Sequence, residues 1–242
     1  MKSRQVAVAP LEYRTGGRTR MSSDEKWIAA GQNLVRQLSD LLARDGGTLD
    51  SKSRILDLGC GPGRLLTALH SLDLEYGEFV GIDVQQRFID WLCDNMADER
   101  TTFHRLEMHN ARYNPRGPRV DAVHLPIPAG HFDVAVLFSV FTHMLIDDIE
   151  MFLGLLRRHL APGGRALVTV YVQDGVPLQT ENPVDWPMEH TGPLHRVLIQ
   201  KSAFEQRVHD AGLEIRAFQQ KGQRNQQYVT GQPTYLLARP KA

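Results

Sequence analysis

The feature that most constrains this chain is an apolar run that leads directly into a glycine-rich turn. Residues 55–58 read Ile-Leu-Asp-Leu, and Gly59, Gly61 and Gly63 follow at alternate positions. The run has the length of a buried strand, and the glycines end it. Because glycine has no Cβ, the backbone here can approach a ligand closely. The following residues read as a helix, so the segment predicts a strand–turn–helix unit with free N–H groups at the helix start.

Strands and helices alternate along the rest of the chain. The late helix, with capping-box spacing at Ser202 and Glu205, is followed by two strands without a helix between them, so the last strand should be antiparallel. The pattern predicts an α/β fold, a Rossmann-like seven-stranded mostly parallel sheet with helices on both faces. Strands are predicted at 54–58, 79–84, 102–108, 133–139, 165–171, 214–220 and 234–239, and helices from Ser22 or Ser23 to Gly46 and at 63–72, 85–96, 147–160 and 202–211.

The 242 residues fit one large domain. Residues 1–21 are predicted to form a flexible, basic N-terminal arm, either a solvated tail or a lid over a ligand. Residues 22–242 are predicted to form a single domain with a cofactor-binding core at 55–171. Residues 174–200 carry several prolines without a clear period, which indicates an inserted lid or substrate segment.

Composition disfavours several function classes. With 28 Lys and Arg against 28 Asp and Glu, the chain lacks the excess positive charge of a broad nucleic-acid-binding surface. No apolar run approaches the ~18 residues of a membrane span. Cys60 and Cys93 are too few for a disulfide framework, which favours a cytoplasmic location. Cys60 is interpreted as a small packing residue of the glycine turn and Cys93 as a core residue of an apolar helix. No metal site is predicted, because the histidines, including His190 and His195, form no ligand pair on a firm helix.

Asp83 ends the next predicted strand, about 20 residues after the glycine turn. A carboxylate at that place can accept hydrogen bonds from both ribose hydroxyls of an adenosine ligand. The alternative role is a cap for the helix at 85–96, and one residue can serve both. Arg64 stands where nicotinamide-dependent enzymes prefer a third glycine, and there is no P-loop ending, so an NAD-dependent oxidoreductase and triphosphate binding are both disfavoured.

The segment from Ile55 to Gly63 resembles the first motif of class I S-adenosylmethionine-dependent methyltransferases. The resemblance extends to residues 81–83, to residues 125–128 before Phe132, and to residues 160–164. It implies S-adenosyl-L-methionine as the cofactor, with the glycines beneath its methionine part. The implied cofactor-binding residues are Asp57, Gly59, Cys60, Gly61, Gly63, Asp83, Val84, Asp121, Ala122 and Ser139.

The resemblance also implies individual roles. Asp57 would orient the turn or reach the methionine amino group, Asp83 would hold the ribose, and Val84 would lie against adenine. Asp121 best matches the adenine partner of relatives. Residues 110–120 look inserted before it, as in a subgroup of small-molecule methyltransferases, so groups near Asn110 are an alternative adenine partner.

The implied reaction is methyl transfer to an oxygen or nitrogen of a small-molecule acceptor. Ligands of such sheets bind at the carboxyl ends of the strands. This selects His143 as a catalytic general base or acceptor-positioning group, against the alternative that it orients its loop or caps the next helix. Tyr171 and Trp186 are the predicted substrate residues, against the alternative that they only pack.

Intact cofactor-binding residues do not by themselves indicate catalysis. A second interpretation is therefore a catalytically inactive S-adenosylmethionine-binding protein that acts as a partner or regulator. We expect a small-molecule acceptor and neither a nucleic acid nor a membrane as partner. The sequence carries no indication of the acceptor's identity or of the oligomeric state.

Overall fold

The predicted alternation of strands and helices is present in the computed structural model, which describes residues 6–14, 22–120, 122–184, 186, 189–220 and 232–241. The chain divides into two compact units, Met1–Arg105 and Leu106–Ala242. Each unit has its own strands, helices and buried apolar side chains.

In the first unit, helices join three parallel strands. β2 pairs with both β1 and β3, and its register sets Asp57 opposite Gly81. Parallel neighbours need crossover connections, which α2 and α3 supply. The residues of β1 and β2 are almost all buried, as their near-continuous apolar runs predict. The elements are α1 (Asp24–Arg44), β1 (Arg54–Leu58), α2 (Arg64–Ser71), β2 (Glu78–Asp83), α3 (Gln86–Met96) and β3 (Thr101–Arg105).

The ends of α1 follow from its sequence. Ser23 has extended dihedral angles, and its Oγ accepts a hydrogen bond from the Lys26 amide at 3.3 Å, so Ser23 rather than Ser22 caps the helix. At the other end the Gly47 amide donates to the carbonyl oxygen of Leu42 at 2.8 Å. Helical spacing places one apolar side in the core, with Trp27, Leu34, Val35, Leu38, Leu41 and Leu42 buried.

Residues 6–14 of the predicted N-terminal arm pack against the first unit. The Thr67 hydroxyl donates to the carbonyl oxygen of Ala7 at 3.0 Å, which ties the segment to α2. The ring of Tyr13 meets that of Phe88 edge to face, with 5.6 Å between centroids, which ties it to α3. This part of the arm therefore bridges the two crossover helices.

The second unit combines parallel and antiparallel strands. β4 and β5 pair in parallel, and β10 is antiparallel to both β5 and β9. The elements are β4 (Phe132–Leu137), α4 (Ile146–His159), β5 (Leu160–Thr169), β6 (Tyr171–Gln173), β7 (Gln179–Glu181), β8 (Val197–Gln200), α5 (Lys201–Asp210), β9 (Glu214–Gln219) and β10 (Thr234–Ala238).

The strand order β3-β2-β1-β4-β5-β10-β9 defines a seven-stranded sheet. Its parallel strands and the antiparallel last strand β10 confirm the predicted Rossmann-like α/β class. The predicted site residues lie at or just after the carboxyl ends of β1, β2 and β4.

A second sheet of three short strands, with the order β6-β8-β7, organises much of the segment that reads as an aperiodic insertion. β8 pairs in parallel with β6 and antiparallel with β7. The predicted strand at 165–171 therefore ends early, at Thr169, because Tyr171 pairs with Leu198 in this second sheet. Strands of three or four residues are too short for a period to be recognised.

The predicted capping box at Ser202 and Glu205 is wrong. α5 begins at Lys201, and its N-cap Gln200 makes no side-chain cap bond, so Ser202 lies inside the first turn. The Glu205 carboxylate instead pairs with Lys201 Nζ at 3.1 Å and accepts the Tyr235 hydroxyl at 3.0 Å. The local sequence pattern predicts that the Glu205 carboxylate caps the helix, but in the folded chain it binds Tyr235 instead.

Candidate active site

The glycine-rich turn between β1 and α2 is held to β2 by its own backbone. The amides of Gly59 and Cys60 both donate to the carbonyl oxygen of Ile82, at 2.7 and 3.0 Å. Gly59, Gly61 and Gly63 have φ of 86°, 53° and 83°. Side-chain-bearing residues rarely adopt that region, so this turn requires glycine at alternate positions.

Two glycines of the turn have different surroundings. A Cβ on Gly61 would meet no atom within 4 Å, so the backbone borders open space there. A Cβ on Gly63 would lie 2.6 Å from Leu92 Cδ2 and 3.2 Å from Met96 Sδ. The absence of a side chain at Gly63 thus allows α2 to pack closely on α3. At Gly61 it leaves open space beside the backbone, which a side chain would fill.

Asp83, at the end of β2, connects the glycine turn with the start of α3. Its Oδ2 accepts the Gly61 amide at 2.9 Å and its Oδ1 accepts the Gln85 amide at 2.8 Å. Asp83 is 8% exposed. Burial raises the pKa of its carboxyl, and the backbone amides act in the opposite direction. A carboxylate has about four lone-pair sites, so lone pairs are left for hydroxyl donors of a ligand.

Asp57, which is buried, and Arg64, which is half-buried, are groups of opposite charge at the two ends of the turn. Burial raises the pKa of Asp57 to about 7, the charge of Arg64 acts to lower it, and Asp83 acts to raise it. Burial also lowers the pKa of Arg64 to about 10, and its guanidinium lies 5.6 Å from the centre of the Trp27 ring. A further cation beside Asp57 would therefore stabilise the charged form of this carboxyl.

The first unit therefore offers a donor and acceptor set that fits an adenosine-bearing cation. It combines open backbone at Gly61, hydroxyl acceptors at Asp83 and a carboxyl at Asp57 that a cation would stabilise. Cys60 is buried, and burial raises its thiol pKa, so it is an inert packing group. Cys93 is exposed on α3, so its assignment to the core is wrong.

The predicted cofactor residues outside the turn differ in exposure. Val84, next to Asp83, is half-buried, and Ala122 is exposed. Asp121 lies outside the described residues. Ser139 follows β4 with φ of 60°, and its amide donates to Thr169 Oγ1 at 2.7 Å.

His143 ends a short 3-10 helix, Phe141–His143, that follows β4. Its Nδ1 lies 2.9 Å from the carbonyl oxygen of Leu194, and because a carbonyl only accepts, the ring donates from Nδ1. In a neutral imidazole the lone pair is then on Nε2. Burial lowers the pKa of His143 to about 4, and the positive charges of Arg112 and His195 act in the same direction. The ring is therefore neutral at pH 7.

The inserted residues 110–120 hold His143 from another direction. Asn110 Nδ2 lies 3.5 Å from the His143 carbonyl oxygen, and its Oδ1 accepts the amides of Arg112 and Tyr113 at 3.0 and 2.9 Å. The rings of Tyr113 and His143 meet edge to face with 5.5 Å between centroids. The Asn110 side chain therefore organises this turn.

The structure brings together the two predicted substrate residues. The ring centroids of Tyr171 and Trp186 are 4.8 Å apart, and both residues are half-buried. The guanidinium of Arg196 lies 5.6 Å from the centroid of Trp186. The two rings therefore pack on each other, as the packing alternative predicts. Because both residues are only half-buried, part of each side chain remains exposed to a ligand.

Arg112 and Arg196 lie among these groups and were missed by the sequence reasoning. Arg112 Nη1 donates to the carbonyl oxygen of Thr191 at 2.7 Å, and Arg196 Nη1 donates to that of Glu189 at 3.3 Å. Neither arginine belongs to a motif. The sequence indicates them only by their neighbours, because Arg112 precedes Tyr113 and Arg196 follows a histidine.

Within the part of the chain that the structure describes, no group of three or more His, Cys, Asp or Glu is placed to hold a metal ion. His190 and His195 do face each other, with ring centroids 5.9 Å apart, but His190 Nδ1 lies 3.2 Å from Arg196 Nη1. None of the described helices is long and apolar enough to cross a membrane.

Comparison with known families agrees with this fold and donor set. Residues 30–217, more than half of the chain, match the family model described as Methyltransferase domain. The chain therefore belongs to this methyltransferase family, and its resemblance to the class I S-adenosylmethionine-dependent enzymes is confirmed. S-adenosylmethionine is the cofactor of the family, and the groups at Gly61, Asp83 and Asp57 fit it.

Two curated relatives match about half of the chain. An uncharacterized methyltransferase of Schizosaccharomyces pombe is 30% identical over 112 residues, which are 46% of this chain and 37% of that protein. The 2-phytyl-1,4-naphtoquinone methyltransferase of Synechococcus elongatus is 30% identical over 115 residues, which are 48% of this chain and 44% of the enzyme. The chain thus spans less than half the length of these relatives.

Solved structures share the fold at lower identity. The glycopeptide N-methyltransferase MtfA in complex with S-adenosyl-L-methionine superposes with a TM-score of 0.56 at 15% identity, over 88% of this chain and 94% of that one. The cyclase SpnF superposes with a TM-score of 0.56 at 20% identity, over 85% of this chain and 81% of the cyclase. At these identities the likeness shows the fold alone.

Proposed function

We propose that this chain is an S-adenosylmethionine-dependent methyltransferase that transfers a methyl group to an oxygen or nitrogen of a small-molecule acceptor. The observation that carries the proposal is the Asp83 carboxylate, which binds the Gly61 amide and keeps lone pairs for a ribose. Family membership over residues 30–217 supports it. The 2-phytyl-1,4-naphtoquinone methyltransferase among the relatives is consistent with a small-molecule acceptor that contains a planar ring system.

The first unit supplies the groups that would hold the cofactor. When bound, S-adenosylmethionine supplies a methyl group that its sulfonium already activates. The amides of the glycine turn would bind its polar atoms, Asp83 would accept the ribose hydroxyls, and Asp57 would face the positive charge. Val84 would pack against the base. Because the methyl group arrives activated, the main task of the protein is to place the acceptor.

The second unit supplies the groups proposed for the acceptor. His143 donates from Nδ1 to Leu194, which leaves Nε2 to accept a proton or a hydrogen bond from the acceptor. A pKa of about 4 keeps the ring neutral but makes it a weak base. This combination favours an acceptor whose own proton is acidic, such as a phenol or an acidic heterocyclic N–H. Tyr171 and Trp186 would contact its rings.

Thermal unfolding in the presence of nucleotides tests the cofactor assignment. S-adenosylmethionine and S-adenosylhomocysteine should raise the unfolding midpoint in proportion to the logarithm of their concentration, because both bind the folded chain only. NAD should leave the midpoint unchanged. Stabilisation by NAD alone would replace the proposal with a nicotinamide-dependent activity.

Methyl transfer itself separates an enzyme from an inactive cofactor-binding partner. A cyclase shares this fold, so cofactor binding alone is not sufficient. The chain would be incubated with cofactor labelled on its methyl group and a panel of phenols, hydroxyquinones and N-heterocycles. Incorporation of the label into an acceptor supports the enzyme. Stabilisation by S-adenosylhomocysteine without incorporation favours the binding partner.

The remaining expectations concern partners and location. Balanced charge favours a small molecule over a nucleic acid as partner. Two unpaired cysteines, one buried and one exposed, are consistent with a reducing cytoplasmic compartment. Fractionation of cells that express a tagged chain would test the location.

A further inference from the structure

Six side chains form a contiguous group in the second unit. The Tyr171 ring contacts that of Trp186, the Arg196 guanidinium lies 5.6 Å from the Trp186 centroid, and Arg196 Nη1 lies 3.2 Å from His190 Nδ1. The group continues to a second histidine, and Thr191 links that histidine to a second arginine. We call it the arginine–aromatic cluster, and its members are Tyr171, Trp186, Arg196, His190, His195 and Arg112.

The second half of the cluster leads toward His143. The rings of His190 and His195 are 5.9 Å apart, and the Thr191 amide donates to His195 Nδ1 at 2.8 Å. The Thr191 carbonyl accepts Arg112 Nη1 at 2.7 Å. Arg112 is next to Tyr113, whose ring packs on His143. The cluster therefore connects the predicted substrate residues with the predicted catalytic one through a single run of contacts.

Among the residues that the structure describes, neither guanidinium group of the cluster has an anionic partner. Arg112 donates to two carbonyl oxygens and a hydroxyl, and Arg196 to one carbonyl oxygen and an imidazole. Neither belongs to an ion pair with another described residue, and the Glu181 carboxylate accepts the Leu194 amide. Arg112 Nε is buried without a hydrogen-bond partner among the described residues. Buried cations normally have a carboxylate partner, so the cluster carries positive charge that no described carboxylate compensates.

The histidines of the region respond to that charge. Burial lowers the pKa of His195 to about 4, and the charges of Arg196, Arg112 and His190 act in the same direction. Arg112 and His195 likewise contribute to the low pKa of His143. The described groups that shift the two pKa values include no carboxylate. The local potential is therefore positive, although the chain as a whole is neutral.

We infer that the arginine–aromatic cluster binds the acceptor, and that the acceptor is a planar molecule that carries a carboxylate. Arg196 is the principal anion-binding residue, because it is 6% exposed and a charge-assisted hydrogen bond is strong where water is excluded. The planar part lies against Trp186 and Tyr171. The inference rests on the proposed function, since it names the substrate class of that methyltransferase.

Paired aromatic acids and amides test the inference without knowledge of the true acceptor. Benzoate, cinnamate and 2-naphthoate, each beside its primary amide, would be titrated by calorimetry into the full chain saturated with S-adenosylhomocysteine. The amide has the same shape but no charge. We expect at least one acid to bind about tenfold more tightly than its amide, because a charge-assisted hydrogen bond is about twice as strong as a neutral one.

Arg196→Gln should abolish that preference, and Arg196→Lys should keep most of it. Arg100 offers a matched control, since it also lies over an aromatic ring, Tyr76 at 5.8 Å, but pairs with Glu75 at 3.5 Å. Arg100→Gln should leave the acid preference unchanged. If Arg196→Gln does not fold, Arg112→Gln takes its place with the same expected loss.

Three outcomes overturn the inference: no acid is preferred over its amide, the preference survives loss of either arginine, or Arg100→Gln removes it equally. Each leaves stabilisation by S-adenosylhomocysteine intact, so the methyltransferase proposal would stand with a neutral acceptor. Absence of that stabilisation in the wild-type chain would instead contradict the proposed function before any acid is tested.

Discussion

Asp83 performs a structural and a proposed ligand-binding task with one carboxylate. Asp83→Ala should weaken binding of S-adenosylhomocysteine about tenfold to a hundredfold, because hydrogen bonds to a charged group contribute about 1.5–3 kcal/mol. Calorimetric titration of the variant measures the change. Asp90→Ala is the control, because Asp90 is exposed on α3 and its carboxylate accepts Gln86 Nε2 at 2.7 Å. Unchanged affinity in a folded Asp83→Ala chain would exclude the ribose-binding role.

His143 gives a pH signature in stability. Its pKa is lowered to about 4 in the folded chain, whereas an unfolded histidine has a pKa of about 6.5. The unfolded state therefore binds more protons between these values, and this residue lowers stability as the pH falls below about 6.5. Between pH 7 and 5 the loss should be about 1–2 kcal/mol.

Urea unfolding of the wild type and His143→Gln at each pH isolates this contribution. The difference between the two chains is the relevant quantity, because burial raises the pKa of Asp57 to about 7 and that carboxyl changes stability in the opposite direction. The variant should lose less stability on acidification than the wild type. Parallel curves for the two chains would mean that His143 titrates normally.

Residues whose role depends on local sequence were predictable, and residues whose role depends on tertiary contacts were not. The alternate glycines and Asp83 lie on one strand–helix–strand unit, β1–α2–β2, and the pairing of its two strands brings them together. Arg196 acts through a carbonyl oxygen, an imidazole and a ring that meet it only after β7 and β8 pair. No period or motif encodes such contacts, which is why both arginines were missed.

At the scale of elements, the segment 6–14 behaves as part of the first unit. Tyr13→Ala should lower the free energy of unfolding by about 1 kcal/mol, because an aromatic pair contributes about 0.5–1.5 kcal/mol beyond its buried area. The partner ring is Phe88, and the Arg87 guanidinium lies 5.6 Å from the Tyr13 centroid. Chemical denaturation of the variant provides the measurement.

Leu11→Ala is the appropriate control for that substitution. Leu11 lies in the same short 3-10 helix as Tyr13 but is 57% exposed, so its truncation should change stability by less than about 0.5 kcal/mol. Equal effects of the two substitutions would indicate that the segment contributes no specific contact with α3.

Element prediction was accurate where a segment buries one continuous apolar face. α1, β1 and α3 match their predicted bounds within one or two residues because their cores are local in sequence. The second sheet was missed because its short strands carry polar residues such as Gln179 and Gln173 and derive their pairing from neighbours distant in sequence. The failed capping box at Ser202 has the same cause, a tertiary partner for Glu205.

For the whole molecule, 28 positive residues against 28 negative ones give no net charge with which to attract an anionic partner. An anionic acceptor cannot be attracted by net charge, so the attraction must come from a local group such as the arginine–aromatic cluster. Two arginines suffice for one carboxylate in a partly buried site. They do not suffice for a polyanion, whose affinity grows with the number of neutralised phosphates.

Binding to nucleic acid should therefore be weak and only slightly dependent on salt. Two phosphate contacts give a slope of about −1.8 in the logarithm of affinity against the logarithm of salt, compared with about −5 to −9 for a protein that makes 6–10 contacts. We expect no retardation of a duplex of about 20 base pairs by micromolar protein at about 50 mM salt, a condition that favours phosphate contacts. Micromolar affinity with a slope steeper than about −4 would show that a basic surface exists. It would also remove the main physical argument for a small acceptor, because the cluster would then be one part of a larger phosphate-binding face.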